Sequence, residues 1–414
     1  MKIQSIVLSP SFTGFYFDDQ KAIKHGALND GFLYVGIPET PGFSAVRQKG
    51  EAISVQIVAE DGTVGAGDCA AVQYSGAGGR DPLFLAEQFI PFMQTEVIPK
   101  LIGEKLDSFR RLAEKMDRMT IKGQRLHTAI RYGLSQAILS AVANVRKKTM
   151  AEVIREDYGI AEKVYRPIPV FGQSGDERYL NVDKMILKQV DVLPHALINN
   201  VAKKLGNNGE LLLEYVGWLK NRIETHRTRP DYLPVFHIDV YGTIGIAFHQ
   251  DLDRIVEYLL KLEAAASPFP IRIEGPVDTG DREGTLQALI AITARLDALG
   301  SRLQIVADEW CNTLEDVMEF ADKKGGHMLQ IKTPDLGGIN NVVEAILYCN
   351  QKHIGSYCGG TCNETDLSAK ATTNIAIACE ADQCLAKPGM SFDDGFMIVK
   401  NEMNRVIALA GSRH

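Results

Sequence analysis

The sequence predicts an α/β protein, a (β/α)8 TIM-type barrel preceded by an α+β capping domain, and three observations carry that expectation. Four short strand-like runs recur at the spacing of a strand, loop and helix, and each ends in a charged residue. Near residue 168 the chain changes from an irregular first part to a regular alternation of β-rich runs and helical patterns. The second part, 168–414, has the length of ~250 residues that one such barrel takes, leaving 1–167 as the capping domain.

In the first part, 52–60 alternates as a strand, Asp61-Gly62 has hairpin turn chemistry, and 63–68 returns. Helical periodicity is expected over 82–102, 106–119 and 126–158. Two glycine-containing loops, 11–31 and 73–81, interrupt these elements, and neither carries the GK[ST] ending of a phosphate loop. In the second part, strand one is expected at PIPVFGQ (167–173) and strand two at MILKQVDV (185–192). Strands three to six are PVFHIDV (234–240), PIRIEGP (270–276), LQIVADE (303–309) and MLQIKTP (328–334). Strand seven is HIGSYCG (353–359), strand eight lies near 383–386, and a last helix runs over about 394–409.

Composition excludes several function classes. The chain has 414 residues, 45% hydrophobic and 23% charged, with a net charge of −7. It holds no Lys/Arg run that would track phosphates, so nucleic acid is not an expected partner. No uncharged apolar stretch approaches the ~18 residues of a membrane span, and the opening MKIQSIVLSPSF lacks the apolar core of a signal peptide. Seven cysteines without disulfide-like spacing fit free thiols in a reducing cytoplasm.

The strand-end charges are Asp239, Glu274, Asp308 and Lys332, at intervals of 35, 34 and 24 residues. A (β/α)8 barrel gathers the C-terminal ends of its strands at one face, where its active site lies. Three carboxylates and a lysine are therefore expected to converge. An acid after a strand often caps the following helix, but here the helices are expected to start near 251, 281 and 312–313, too late for that role. Residues two apart on a strand share a face, which puts His237 with Asp239, Arg272 with Glu274, and Gln330 with Lys332. His237 and Arg272 are expected to orient the carboxylates. Three carboxylates without His or Cys favour a hard divalent ion, Mg²⁺ above others. Such an ion offsets the charge formed when a proton leaves the carbon beside a carboxylate. A neighbouring cation and burial are expected to lower the pKa of Lys332 toward the range of a working base.

At this point the chain resembles the methylaspartate ammonia-lyase family of the enolase superfamily. The resemblance rests on GDCAAVQYSGAGGRDP, PVFGQSGDERY, VLPHALINN, HIDVYG, IEGPVD, ADEWCNT, QIKTPDLGGINN and YCGGTCNETD, which span the chain. It implies reversible anti elimination of ammonia from L-threo-3-methylaspartate, giving mesaconate, with Lys332 as the base at C3. His195 is implied on the opposite face, serving erythro isomers or binding a carboxylate. Asp239, Glu274 and Asp308 are implied as Mg²⁺ ligands, with Gln330 on the C4 carboxylate. Gln173 and the backbone near Thr361 and Cys362 are implied for the C1 carboxylate, and Gln73 with Gln173 for the amino group. Phe171, Tyr357 and Leu385 are implied as walls of a methyl pocket. K⁺ as a monovalent activator and a homodimer follow from the resemblance alone. Racemases, cycloisomerases and sugar-acid dehydratases of the superfamily are the alternative; many carry a Lys-x-Lys pair on strand two, which MILKQVDV lacks.

Overall fold

The computed structural model describes residues 1–77, 79–161 and 164–412. The first part is built on a three-stranded antiparallel sheet, ordered Ile3–Asp18, Arg47–Ala59, Val64–Ala70. The helix Thr128–Arg146 lies across this sheet at close range. Gly65 and Gly67 face it two residues apart, where a Cβ would stand 2.2 Å from the Ala141 amide nitrogen and 2.5 Å from that of Ala137. Alanines four apart on the helix and glycines two apart on the strand thus share one face each, and the two backbones meet there.

The opening strand differs from expectation. Residues 11–18 continue a 16-residue strand, followed by a short helix Gln20–Lys24 capped by Asp19 and a hairpin of Leu28–Asp30 with Leu33–Val35. Register shifts between Ile3 and Ser5 and between Phe12 and Tyr16 break the two-residue alternation that marks a strand in sequence. The expected helix over 82–102 is helical only at Ala86–Phe92, with Pro91 inside it, and continues as a wide π turn and a 3-10 turn to Lys100. The long helix expected to Tyr158 is two, because Lys147 is left-handed and Thr149 begins Met150–Tyr158 with a capping box.

The second part closes an eight-stranded parallel barrel. Its strands, in ring order, are one Val170–Phe171, two Val192–His195, three Val235–Asp239, four Ile271–Glu274, five Gln304–Ala307, six Met328–Ile331, seven Gly355–Cys358 and eight Gln383–Leu385. Helices follow in turn, from Leu180–Leu187 to Phe392–Gly411. Strand two requires a correction. Met185 to Leu187 belong to the helix Leu180–Leu187, where Val182, Met185 and Ile186 are buried at three- and four-residue spacing. The strand begins only at Val192, in register with Val235 of strand three. A short helix, Thr243–Ala247, also stands in the loop after strand three, before the expected Leu252–Ala266. Inside the barrel, Phe171, Val192, Val306, Met328, Tyr357 and Leu385 form a cluster separate from the main core.

Candidate active site

Asp239 and Glu274 are the last residues of strands three and four and are direct neighbours in the sheet register. Asp308 follows strand five by one residue. All three are buried, and one carboxylate oxygen from each lies within 4.8 Å of the others. Burial, then the Asp239 and Asp308 charges, push the Glu274 carboxyl well above its ordinary range. Burial lifts Asp308 to about 7 even with Lys332 beside it. Three carboxylates so placed repel one another, and a divalent cation relieves both the repulsion and the burial penalty. The all-oxygen donor set fits a hard ion with coordination positions left for water and substrate.

Beneath the acids lies a hydrogen-bonded floor. Arg272 donates to Gln304 Oε1 at 2.8 Å and to Gln383 Oε1 at 2.6 Å. Because Arg is a donor only, that contact fixes which end of the Gln383 amide is oxygen. Gln383 Nε2 then donates to His237 Nδ1 at 2.9 Å, leaving the proton of His237 on Nε2, where it donates to Glu274 Oε2 at 2.8 Å. Burial and the Arg272 charge push the His237 pKa well below normal, so a neutral imidazole is the stable form. His237 therefore orients Glu274. Arg272 does not touch a carboxylate of the site, contrary to expectation; its length carries it sideways to strands five and eight. From the other side, Tyr357 Oη donates to Glu274 Oε1 at 3.1 Å, and Gln330 Nε2 donates to Tyr357 Oη. The ring of Tyr357 does face Phe171, 5.7 Å away and edge-on, but its hydroxyl serves Glu274.

Lys332 directly follows strand six and is buried, with Nζ 2.8 Å from Asp308 Oδ1 and 3.5 Å from Glu309 Oε2. Burial pulls its pKa down, but the Asp308 and Glu309 carboxylates outweigh that and hold it above the ordinary lysine value. The expected lowering is thus absent while the acids stand unshielded, since here the nearest charges are negative. His195 ends strand two, and its Nε2 is 3.3 Å from Asp239 Oδ2. It opens a left-handed run, with φ of 69° at His195, 67° at Ala196 and 52° at Leu197, each costing about 1–3 kcal/mol for a non-glycine residue. Its Nδ1 is buried without a partner. Strands two and six are four apart in a ring of eight, so Lys332 and His195 face each other across the barrel mouth. The carboxylate strands fill one arc between them. Strands seven, eight and one fill the other, with Tyr357, Leu385 and Phe171.

Gln173 is buried after strand one, and its Oε1 has no partner. Gln73 reaches the mouth from the capping domain, with Nε2 on Asp18 Oδ2 at 2.6 Å and Oε1 accepting from Cys362 Sγ at 3.3 Å. The Thr361 amide is already donated to Glu364 Oε1 at 3.0 Å, so it is not a free donor as expected. Three further residues at the site went unforeseen. Glu309, beside Lys332 Nζ, carries no signal in the sequence beyond following Asp308. Arg80, from the 73–81 loop, pairs with Asp335 at 3.2 Å, three residues beyond Lys332. Both contacts join segments distant in sequence, and no local pattern marks them. Gln383 opens strand eight, and its two-residue phase with inward-facing Leu385 is the sequence signal that marks it.

A capped barrel with Asp, Glu and Asp at three successive strand ends and a lysine at the next has the architecture and site of the enolase superfamily. The muconate lactonizing enzyme of Pseudomonas putida shares this fold, with a TM-score of 0.59 at 16% identity over 91% of this chain and 85% of that one. Family models described as methylaspartate ammonia-lyase N-terminus and C-terminus match residues 1–159 and 162–412. The chain belongs to the methylaspartate ammonia-lyase family. It is 61% identical to the Clostridium tetanomorphum methylaspartate ammonia-lyase over the whole of both chains, and the crystal structure of that enzyme's Mg complex superposes with a TM-score of 0.98. The Citrobacter amalonaticus enzyme, solved containing (2S,3S)-3-methylaspartic acid, is 55% identical over 99% of this chain and 100% of that one, also with a TM-score of 0.98.

Proposed function

We propose that this chain catalyses the Mg²⁺-dependent, reversible anti elimination of ammonia from L-threo-3-methylaspartate, giving mesaconate. The observation that carries this reading is the opposed placement of Lys332 and His195 with the carboxylate triad on the arc between them. A proton acceptor on each face lets either C3 epimer lose its proton while the neighbouring carboxylate is held at the same carboxylate triad. Asp239, Glu274 and Asp308 would hold the ion. When bound, Mg²⁺ supplies the positive charge that offsets the second negative charge developing on the C4 carboxylate.

Lys332 Nζ takes the C3 proton. The C3–H electron pair first passes into the C4 carboxylate as an enolate, then returns to form the C2–C3 double bond as the C2–N pair departs with ammonia. For Lys332 to accept that proton it must first be neutral, and screening of Asp308 removes the strongest influence that keeps it charged. His195 takes the C3 proton of erythro isomers from the other face. Gln330 has one amide proton on Tyr357 and one left for the C4 carboxylate. Gln173 Oε1 accepts from the substrate ammonium, and Gln73 joins it after releasing the Cys362 thiol. The region of Thr361 and Cys362 receives the C1 carboxylate, with Phe171, Leu385 and the Tyr357 ring around the methyl group.

The division into a capping unit, 1–167, and a barrel unit, 168–414, is supported by the start of strand one at Val170. A homodimer is supported by the apolar hairpin, where Leu28 and Leu33 are 70% and 64% exposed and would be covered by a partner; sedimentation equilibrium tests it. A cytoplasmic setting is supported by seven cysteines that are all free thiols, and K⁺ activation by the family resemblance. The reaction is tested by following ultraviolet absorbance with L-threo-3-methylaspartate, Mg²⁺ and K⁺. A rise from the conjugated diacid, abolished by a chelator, is expected. No rise from folded, Mg²⁺-bound protein would discard the reading.

A further inference from the structure

Outside the site just described, the structure holds a second cluster of charge for which the reaction gives no account. Glu364 and Lys387 form an ion pair at 2.9 Å with both side chains fully buried. Lys387 Nζ spends its three protons on Glu364 Oε1, Thr333 Oγ1 at 2.8 Å and the Gly359 carbonyl at 2.6 Å. Glu364 Oε2 accepts from Tyr132 Oη at 2.7 Å and Ser368 Oγ at 3.1 Å, while Oε1 also accepts the Thr361 amide. The network is closed, and it leaves no room beside it. At Gly360, φ is +140°, and a Cβ there would stand 2.1 Å from Glu364 Oε1 and 2.5 Å from Lys387 Nζ.

A buried ion pair is weak support for a fold, since apolar residues of similar volume often do as well. What this one does is join four segments. Tyr132 belongs to the capping-domain helix, Thr333 follows Lys332 directly, Thr361 and Glu364 lie in the loop after strand seven, and Lys387 lies two residues beyond Leu385. The same loop is held from the capping side, where Gly14 N donates to the Glu364 carbonyl at 2.7 Å and Asn363 Nδ2 to the Ala71 carbonyl at 2.8 Å.

We propose that the Glu364–Lys387 pair is a positioning device for the reaction, fixing the backbone beside Lys332 through the Thr333 hydroxyl and the Thr361–Cys362 loop through the Thr361 amide. Both side chains are fully buried within the network and are not presented to a substrate. They act on where the base and the carboxylate-binding loop stand. The inference rests on the proposed ammonia-lyase reaction, and wild-type turnover of 3-methylaspartate tests that premise separately.

Thr333→Val removes the hydroxyl at nearly constant volume, and Thr333→Ser keeps it. Loss of alignment at a base costs about tenfold or more in rate. We expect kcat per folded Thr333→Val enzyme to fall about tenfold with KM and Mg²⁺ affinity nearly unchanged, and Thr333→Ser to recover most of it. Glu364→Gln, which keeps an oxygen for Lys387 and Thr361, is expected to fall in the same direction and supplies the answer if Thr333→Val does not fold. Equal kcat per folded molecule in wild type, Thr333→Val and Glu364→Gln, or equal losses in Thr333→Val and Thr333→Ser, would overturn the positioning role.

Discussion

The two arcs of the barrel mouth are held by different physics. On strands three to five, the side chains are charged and fixed by hydrogen bonds, from Arg272 through Gln383 and His237 to Glu274. On strands eight and one, Leu385 and Phe171 are fixed by packing, Phe171 stacking on His237 at 4.3 Å. Tyr357 belongs to both, with its ring in the apolar cluster and its hydroxyl on Glu274. The polar arc is costly to bury and gains its worth from the ion it is built to hold. The apolar arc costs nothing electrostatically and, in the proposed reaction, is the part that selects shape. In the proposed reaction, chemistry and size selection therefore rest on different side chains, even where Gln383 and Leu385 share strand eight, and substitutions can tell them apart.

The largest effect is expected on the base itself. Lys332→Ala should lower threo turnover by about 10²–10⁴-fold, and steady-state rates on both C3 epimers check the pairing, because His195→Ala should instead damage mainly erythro turnover. Equal losses on both epimers in both variants would end the division of labour between the two faces. Next comes the floor. Arg272→Met frees the Gln383 amide and with it the His237 tautomer, and Mg²⁺ affinity should fall about 10–100-fold with substrate size preference unchanged. Titration calorimetry with Mg²⁺ reads this, and unaltered affinity would show that Arg272 only fills the barrel.

On the other arc, Leu385→Ala should leave Mg²⁺ affinity intact while turnover of 3-methylaspartate drops about tenfold, in line with ~1–3 kcal/mol for lost apolar contact in a pocket. Larger 3-alkyl aspartates should gain relative to methyl. A variant that weakens Mg²⁺ binding instead would mean the arcs are not separable.

The smallest effect is on stability. Asp308 has its folded value raised from 3.8 to about 7, and Glu274 is raised in the same direction. Their contribution to stability is present at low pH and is lost as pH rises through about 7, where the buried carboxyls must ionise. Mg²⁺ competes with those protons, so it should raise the melting temperature by several degrees more at pH 8 than at pH 5. Scanning calorimetry with Mg²⁺ and with chelator decides it, and equal shifts at both values would contradict the raised carboxyls.

Much of the polar arc was legible because it is periodic. One charged residue at each strand end, repeated at barrel spacing, exposes Asp239, Glu274, Asp308 and Lys332 without any structure. Strand two was misplaced because MILKQVDV is apolar and short, and only its three- and four-residue spacing separates a helix from a buried strand. The tautomer relay was half legible: strand phase put His237 and Arg272 inward, but the partner Gln383 comes from strand eight, 111 residues beyond Arg272. The electrostatics of Lys332 were not legible, because the sign of a pKa shift depends on which charges lie nearest in space. Glu309 beside its ammonium is one such charge.

Cys362 has a consequence of another kind. It sits at the mouth with its thiol against Gln73, and burial pushes the thiol up to about 12. Near neutral pH such a group stays protonated, and the thiolate, not the thiol, is the nucleophile. The proposed product, a conjugated diacid, is an electrophile that thiolates attack. A sulfur kept protonated can stand within reach of each product molecule without being consumed by it, so the mass of the protein should stay unchanged through many turnovers.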